Sequence, residues 1–98
     1  MKTTTISSLH ATKAAGDKFA AITAYDYTFA KLIEAADIEV TLVGDSLGNV
    51  TQGRDSTIPV TIDEMAYHTE AVKRGNSRSL LMTDMPFMSY ATETQALD

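Results

Sequence analysis

Apolar residues along this chain follow two alternating patterns. Short, nearly continuous apolar runs cover 19–24, 38–43 and 79–83, and each of them predicts a strand, the first of them a buried one. Between these runs, apolar residues recur at helical spacing, which predicts helices over 5–15, 27–36, 61–74 and from 92 onward. Strands that alternate with helices are typical of parallel sheets joined by helical crossovers. The pattern therefore predicts an α/β fold with three parallel strands.

Polar residues mark where the predicted helices begin. Thr61 and Glu64 have the spacing of a capping box, in which each side chain bonds the backbone N–H of the other, and Thr92 and Gln95 repeat it. Asp26 is placed to cap the helix that follows it. One face of that helix is predicted to hold the apolar residues Phe29, Leu32, Ile33 and Ala36. Glycine stands at the predicted ends of two other helices, as Gly16 and Gly75. Between 43 and 61 the pattern predicts only a loop.

Composition limits the kind of protein this is. The 98 residues make at most one domain, and 44% hydrophobic with 21% charged residues is close to the average of globular proteins. The formal net charge is -5, and Lys and Arg are scattered except for the adjacent pair Lys73 and Arg74. Nucleic-acid and anionic-membrane surfaces need clustered positive charge, so we expect neither partner.

The chain also lacks the signals of export. It contains no cysteine, which excludes disulfides and thiolate zinc sites. Residues 1–9 lack the apolar core of a signal peptide, and no run approaches the ~20 apolar residues of a membrane span. A cytoplasmic protein is therefore expected.

Candidate chemistry lies where the predicted strands end. Parallel α/β folds bind ligands at the carboxyl ends of their strands, where Tyr25, Asp45 with Ser46, and Asp84 are found here. Neighbouring strands lie ~4.8 Å apart, and two carboxylates that close repel unless a cation or a proton lies between them. Mg²⁺ prefers such hard oxygen ligands. Spacing alone favours neither of two interpretations of Asp45 and Asp84, a metal site or aspartates that merely cap turns. Ser46 fits a loop serine that bonds its own backbone.

The two histidines carry weaker signals. His68 lies on the predicted 61–74 helix but off its apolar stripe, so a solvated or neighbour-facing side chain is favoured over a ligand. His10 has no acidic residue near it in sequence and receives no role. The glycines at 44, 48 and 53 do not have the spacing of a phosphate-binding loop.

Five segments together resemble the ketopantoate hydroxymethyltransferase family. They are ITAYD at 22–26, LVGDSLG at 42–48, QGRDSTIPVT at 52–61, AYH at 66–68 and DMPFMSY at 84–90. They span nearly the whole chain in the family's order, and the second and third are specific in combination. One departure is Asp37, where the family usually ends a helix with Gly, at an expected cost of ~1 kcal/mol in the left-handed conformation.

The resemblance implies both a fold and a reaction. The fold would be a (β/α)8 TIM barrel, with residues 1–98 forming the N-terminal segment of that single domain, cut after the third strand. The reaction would transfer a hydroxymethyl group from 5,10-methylenetetrahydrofolate to 3-methyl-2-oxobutanoate, which gives ketopantoate for pantothenate and coenzyme A. Asp45 and Asp84 would bind Mg²⁺, and both would line the 2-oxo acid site with Ser46. The catalytic proton acceptor would lie beyond residue 98, and the enzyme would be a homo-oligomer.

Three rival readings stay open. Barrels of the phosphoenolpyruvate mutase and isocitrate lyase type also stabilise enolates with Mg²⁺, and they would differ in the downstream general base. A receiver-type signalling domain needs an adjacent acidic pair after its first strand, whereas Asp26 is the one acid available there. The last is a non-catalytic fragment that depends on pairing with other chains.

Overall fold

The structure, a computed structural model, describes residues 3–98 and contains three strands and five helices in that range. Met1 and Lys2, which begin the segment tested for a signal peptide, lie outside the described residues. The strands are β1 (Ala21–Thr23), β2 (Val40–Val43) and β3 (Leu80–Thr83). The helices are α1 (Ile6–Ala14), α2 (Tyr27–Ala35), α3 (Leu47–Val50), α4 (Ile62–Gly75) and α5 (Glu93–Leu97). Within 3–98, none of these helices is long and apolar enough to cross a membrane.

The three strands form one parallel sheet in the order β1-β2-β3, which confirms the predicted α/β class. Val40 in β2 is the register partner of Ala21 in β1 and of Leu80 in β3. The first strand was predicted to be buried, and this is wrong, because all residues of β1 are exposed. Half of β3 is exposed as well. The described helices cover mainly the central strand, so the outer strands keep apolar side chains such as Ile22 and Met82 in solvent.

Side-chain caps begin the helices where the sequence predicts. Asp26 Oδ1 accepts the backbone N–H of Phe29 at 2.8 Å, and Thr61 and Glu64 form the full capping box. At the last helix, Thr92 accepts from the backbone of Gln95 as predicted. The return bond differs, because Gln95 Oε1 accepts from the N–H of Ala91 instead of Thr92.

The core lies between β2 and the helices α2 and α4, and α3 adds to it. Val43 and Val72 are fully buried there. Leu47 is fully buried as well, although the sequence predicted only a loop at this position. A single turn of helix directly after the strand turns Leu47 inward, and four residues are too few to show a helical period.

The predicted apolar face of α2 is buried only in part. Ile33 is buried, but Phe29 and Leu32 are 60% and 58% exposed, and Ala30 takes the inner position instead. The reason is the close contact of this helix with α4. A Cβ added to Gly75 would lie only 2.9 Å from Ala30 Cβ and 2.9 Å from the Tyr27 carbonyl oxygen. Only the smallest side chains fit between the two helices, which places Ala30 inside.

We expect Gly75→Ala to destabilise the fold by about 1–3 kcal/mol through this overpacking. Helix propensity alone predicts the opposite sign, because Ala is favoured over Gly by about 1 kcal/mol inside a helix. The measurement is the free energy of unfolding from urea titration. Gly16→Ala is the matched control: φ of Gly16 is +78°, and among residues 3–98 no atom lies within 4 Å of its Cβ position, so that variant reports backbone strain alone. A neutral or stabilising Gly75→Ala would show that the helices are not in contact here.

Asp37 adopts the left-handed conformation that its position after α2 predicted, with φ of 60°. Asp is one of the residues that tolerate this conformation, although less well than Gly. The departure from the family pattern at this position therefore concerns local stability and not the site.

An ion pair joins the end of α2 to the segment before β3. The Glu34 carboxylate accepts from Ser77 N at 3.0 Å, from Ser77 Oγ at 2.6 Å and from Arg78 Nε at 2.8 Å. These contacts lower the pKa of Glu34 from 4.5 to about 2, with the Ser77 hydroxyl as the largest cause and its N–H next. Because Glu34 is charged in the folded state well below its usual pKa, the pair stabilises the fold at neutral pH.

A lowered pKa in the folded state means that the stabilisation is present above about 4.5 and is lost as the pH falls towards about 2. We therefore expect Glu34→Gln to be less stable than the parent at neutral pH, with a difference that shrinks over this window. Urea midpoints measured at several pH values for both chains test this. Glu70→Gln removes a solvent-exposed i,i+4 pair with Arg74 and should show almost no such difference. An equal pH dependence in both variants would contradict the assignment.

Candidate active site

The ends of the three strands bring all the predicted site residues to one edge of the sheet. Asp84 directly follows β3, and Asp45 and Ser46 lie just after β2. The strands are neighbours, and the pairing continues past them because Asp84 N–H donates to the Val43 carbonyl at 3.0 Å. The sequence-based prediction that the two aspartates leave adjacent parallel strands is confirmed.

The Asp84 carboxylate reaches across to the neighbouring strand end. Its Oδ2 accepts the backbone N–H of Asp45 at 3.1 Å. This bond is not the local turn or cap that the alternative reading required of Asp84. The contact fixes one carboxylate oxygen and leaves Oδ1 for a ligand. Both aspartates are half-buried, so they lie at the rim of the fold and not in its core.

Gly44 keeps open a small gap between two of these side chains. A Cβ on Gly44 would lie 3.2 Å from Asp84 Oδ2 and 3.3 Å from Ser46 Oγ, both tighter than ordinary contacts. The carboxylate and the hydroxyl therefore face the same small volume at the strand ends. Nothing in the sequence shows which side chains converge at Gly44.

Ser46 does not behave as a loop serine that bonds its own backbone. Its hydroxyl is 2.5 Å from the Tyr25 hydroxyl, which lies after the neighbouring strand β1. Ser46 precedes α3 but makes no side-chain cap bond to it. The hydroxyl is thus held by a partner on another strand.

His68 is neighbour-facing, the favoured of its two readings. Its Nδ1 lies 2.7 Å from the Tyr25 carbonyl oxygen, and the ring is half-buried. The sequence showed only that His68 lay off the apolar stripe of its helix, and the 43-residue separation of this pair left no local signal. His10 is exposed on α1, away from these residues.

The loop that begins at Gln52, part of the segment at 52–61 that resembles the family, is hydrogen-bonded to the start of α4. Gln52 Nε2 bonds Glu64 Oε2, and Arg54 Nε donates to Gln52 Oε1 at 3.0 Å. The pKa of Glu64 is lowered, chiefly by the Thr61 N–H and then by the hydrogen bonds of Gln52 and Thr61. The Glu64 carboxylate thus holds both the helix cap at Thr61 and the loop at Gln52 through hydrogen bonds.

A mostly apolar groove of about 370 Å³ lies between α4 and the end of β3. Its walls include Met65, Thr69 and Pro86, and Thr69 Oγ1 lies 2.9 Å from Thr83 Oγ1. Asp84 borders both this groove and the polar gap at Gly44. The groove itself lacks the polar lining of a site for charged ligands, although the charged residues Glu70 and Asp84 are among its walls.

The donor set at the strand ends fits a divalent cation in part. Asp45 and Asp84 supply the hard carboxylate oxygens that Mg²⁺ prefers. Within residues 3–98, however, no cluster of three or more His, Cys, Asp or Glu residues is placed to hold a metal. Two carboxylates provide fewer protein ligands than a fixed octahedral geometry uses, so these residues alone would not complete a metal site.

Comparison with known proteins gives the family. The family model described as ketopantoate hydroxymethyltransferase matches residues 3–98. A 3-methyl-2-oxobutanoate hydroxymethyltransferase of Cronobacter sakazakii is 60% identical over the whole chain, which covers 37% of that protein. The enzyme of the same name from Erwinia tasmaniensis is 57% identical with the same coverage. That of Acinetobacter baumannii is 58% identical over 94% of this chain and 34% of its own length. The chain thus spans little more than a third of these relatives, and it belongs to the ketopantoate hydroxymethyltransferase family.

Proposed function

We propose that this chain is the metal- and substrate-binding part of an enzyme that makes ketopantoate from 3-methyl-2-oxobutanoate. The one-carbon donor would be 5,10-methylenetetrahydrofolate. The observation that carries the proposal is the meeting of the Asp84 carboxylate and the Ser46 hydroxyl beside Gly44, at the ends of adjacent strands. The names of the relatives support the reaction, and their similarity to this chain extends over all 98 residues, including the segments that form this edge.

Each residue of this edge has a distinct part in the proposal. Asp45 and Asp84 would hold Mg²⁺, and when bound it would supply positive charge against the anion left when the 2-oxo acid loses a proton. Asp84 is held for this task by the Asp45 N–H. The Ser46 hydroxyl would donate a hydrogen bond to a carboxylate oxygen of the substrate and fix its orientation. The group that removes the proton is not assigned to any residue of this chain.

The proposal extends to the architecture and setting of the whole protein. The three-stranded parallel sheet is consistent with a segment of a (β/α)8 barrel, and we propose that fold for the complete domain. We also propose a homo-oligomer in the cytoplasm that acts on a 2-oxo acid and a folate, without nucleic-acid or membrane partners. The family resemblance and the net charge of -5 support these statements.

A chimeric enzyme tests the reaction. These 98 residues would replace the matching segment of the Cronobacter sakazakii relative, which is 60% identical over that stretch. We expect the chimera to form ketopantoate from 3-methyl-2-oxobutanoate and 5,10-methylenetetrahydrofolate, with loss of turnover on chelation of divalent ions and recovery on adding Mg²⁺. Product is measured by mass spectrometry, and the parent relative is the control.

Two outcomes would contradict the proposal. The first is a folded chimera that makes no ketopantoate while the parent relative does so under the same conditions. The second is a chimera that cleaves or rearranges a 2-oxo acid without the folate, which would favour the lyase and mutase class instead.

A further inference from the structure

We infer that Tyr25 is a positioning residue for Ser46 and that His68 holds Tyr25 in place, an inference that rests on the proposed function. His68 lies on α4, Tyr25 follows β1 and Ser46 follows β2. Two short hydrogen bonds join them in the order His68, Tyr25, Ser46. His68 Nδ1 lies 2.7 Å from the Tyr25 carbonyl, and the Tyr25 hydroxyl lies 2.5 Å from Ser46 Oγ. The three atoms nearest to a Cβ placed on Gly44 include Ser46 Oγ but no atom of Tyr25 or His68.

The bond from His68 satisfies the backbone carbonyl of Tyr25. The sheet pairing of β1 ends with the Ala24 N–H, which donates to the Leu42 carbonyl at 3.0 Å. The backbone groups of the next residue point away from β2, so within residues 3–98 the Tyr25 carbonyl has no partner in the sheet, and a partly buried acceptor without a donor is costly. A carbonyl only accepts, so His68 Nδ1 must carry the proton and donate it. The histidine thereby fixes the backbone from which the Tyr25 side chain leaves the strand.

The bond from Tyr25 determines the direction in which Ser46 donates. Either hydroxyl of this pair can be the donor. A phenol is a stronger acid than an aliphatic alcohol, so the favoured arrangement has Tyr25 donating to Ser46 Oγ. The proton of Ser46 is then free for another acceptor, and a carboxylate oxygen of the 2-oxo acid would be that acceptor. Without the phenol, the Ser46 oxygen loses the donor that holds its position, and the hydroxyl is free to rotate away from the substrate.

Kinetics of the chimeric enzyme test this arrangement. Tyr25→Phe keeps the ring but removes the hydroxyl, and we expect it to raise KM for 3-methyl-2-oxobutanoate about tenfold, the scale of one hydrogen bond to a charged group. The kcat should change much less, because the bond is made in the ground state as well as in the transition state. Ser46→Ala should raise KM at least as much, and adding Tyr25→Phe to it should have no further effect.

Variants of His68 separate positioning from packing. His68→Ala removes the donor to the Tyr25 carbonyl, and we expect KM to rise several-fold. His68→Asn places an amide N–H near the position of Nδ1, and we expect it to restore KM to within about twofold of the parent. Tyr67→Phe is the matched control, since Tyr67 is 70% exposed beside His68 and should leave KM unchanged.

Three results would overturn the inference while leaving the reaction itself intact, because the parent chimera reports separately on the reaction. The first is a Tyr25→Phe variant with unchanged KM. The second is full additivity of Tyr25→Phe and Ser46→Ala, which would show that the phenol acts independently of the serine. The third is a His68→Asn variant no better than His68→Ala, which would assign His68 to packing alone.

Discussion

Replacing Asp84 by Asn in the chimeric enzyme is expected to lower kcat by about 10²–10³-fold, the loss typical of one missing electrostatic contact to the reacting group. Asn keeps the shape of Asp and an oxygen that can accept the Asp45 N–H, a bond that measures 3.1 Å here. The variant therefore removes the negative charge without removing the contact between the strands. We also expect it to need a higher Mg²⁺ concentration for half of its remaining activity, because one metal ligand has lost its charge.

Two variants serve as controls for the Asp84 prediction. Asp63→Asn makes the same chemical change at an exposed residue in the first turn of α4 and should leave kcat and the Mg²⁺ requirement unchanged. His68→Ala should alter KM and not the Mg²⁺ requirement, since its ring bonds the Tyr25 backbone. Equal losses of kcat in Asp84→Asn and His68→Ala would show that Asp84 is not a metal ligand.

The parts of the fold that the sequence predicted are those set by local chemistry. Asp26 and Thr61 cap helices because their side chains bond N–H groups only three residues away. The parallel order of the strands follows from the alternation of elements, which leaves few topologies open. The positions of Asp45 and Asp84 at adjacent strand ends follow in turn from that order. Each of these inferences needs only neighbours in sequence or a general rule.

The parts that the sequence did not predict depend on contacts between distant residues. The inward position of Ala30 is decided by the glycine at 75, and the bond from His68 to Tyr25 spans 43 residues. The apolar pattern of α2 could not distinguish Phe29 from Ala30 as the inner residue, because the pattern does not record how closely another helix approaches. The hydrogen bond between the Tyr25 and Ser46 hydroxyls joins residues distant in sequence, so the sequence did not predict it, although both residues were candidates for the site.

As a polypeptide of these 98 residues alone, the chain is expected to form no ketopantoate and to associate or lose order instead of remaining a compact monomer. Within residues 3–98, Asp45 and Asp84 have no third acidic or histidine partner placed to complete a metal site. General base catalysis contributes ~10²–10⁴-fold, and no residue of this chain is assigned to it. Activity assays with saturating Mg²⁺ and both substrates, together with light scattering of the purified chain, test both parts.

The physical reason for association is the amount of apolar surface and unpaired backbone that this sheet presents. Phe29 and Leu32 on α2 and Ile22 and Met82 on the sheet are all close to half exposed or more. In residues 3–98, β1 and β3 each pair with β2 alone, and a free strand edge is a template for another chain. Charged substitutions at Phe29 and Leu32 should therefore reduce the scattering, whereas Lys31→Glu, which replaces one exposed charge by another on the same helix, should not. A monodisperse monomer that makes ketopantoate would contradict the prediction and would place the whole reaction within these three strands.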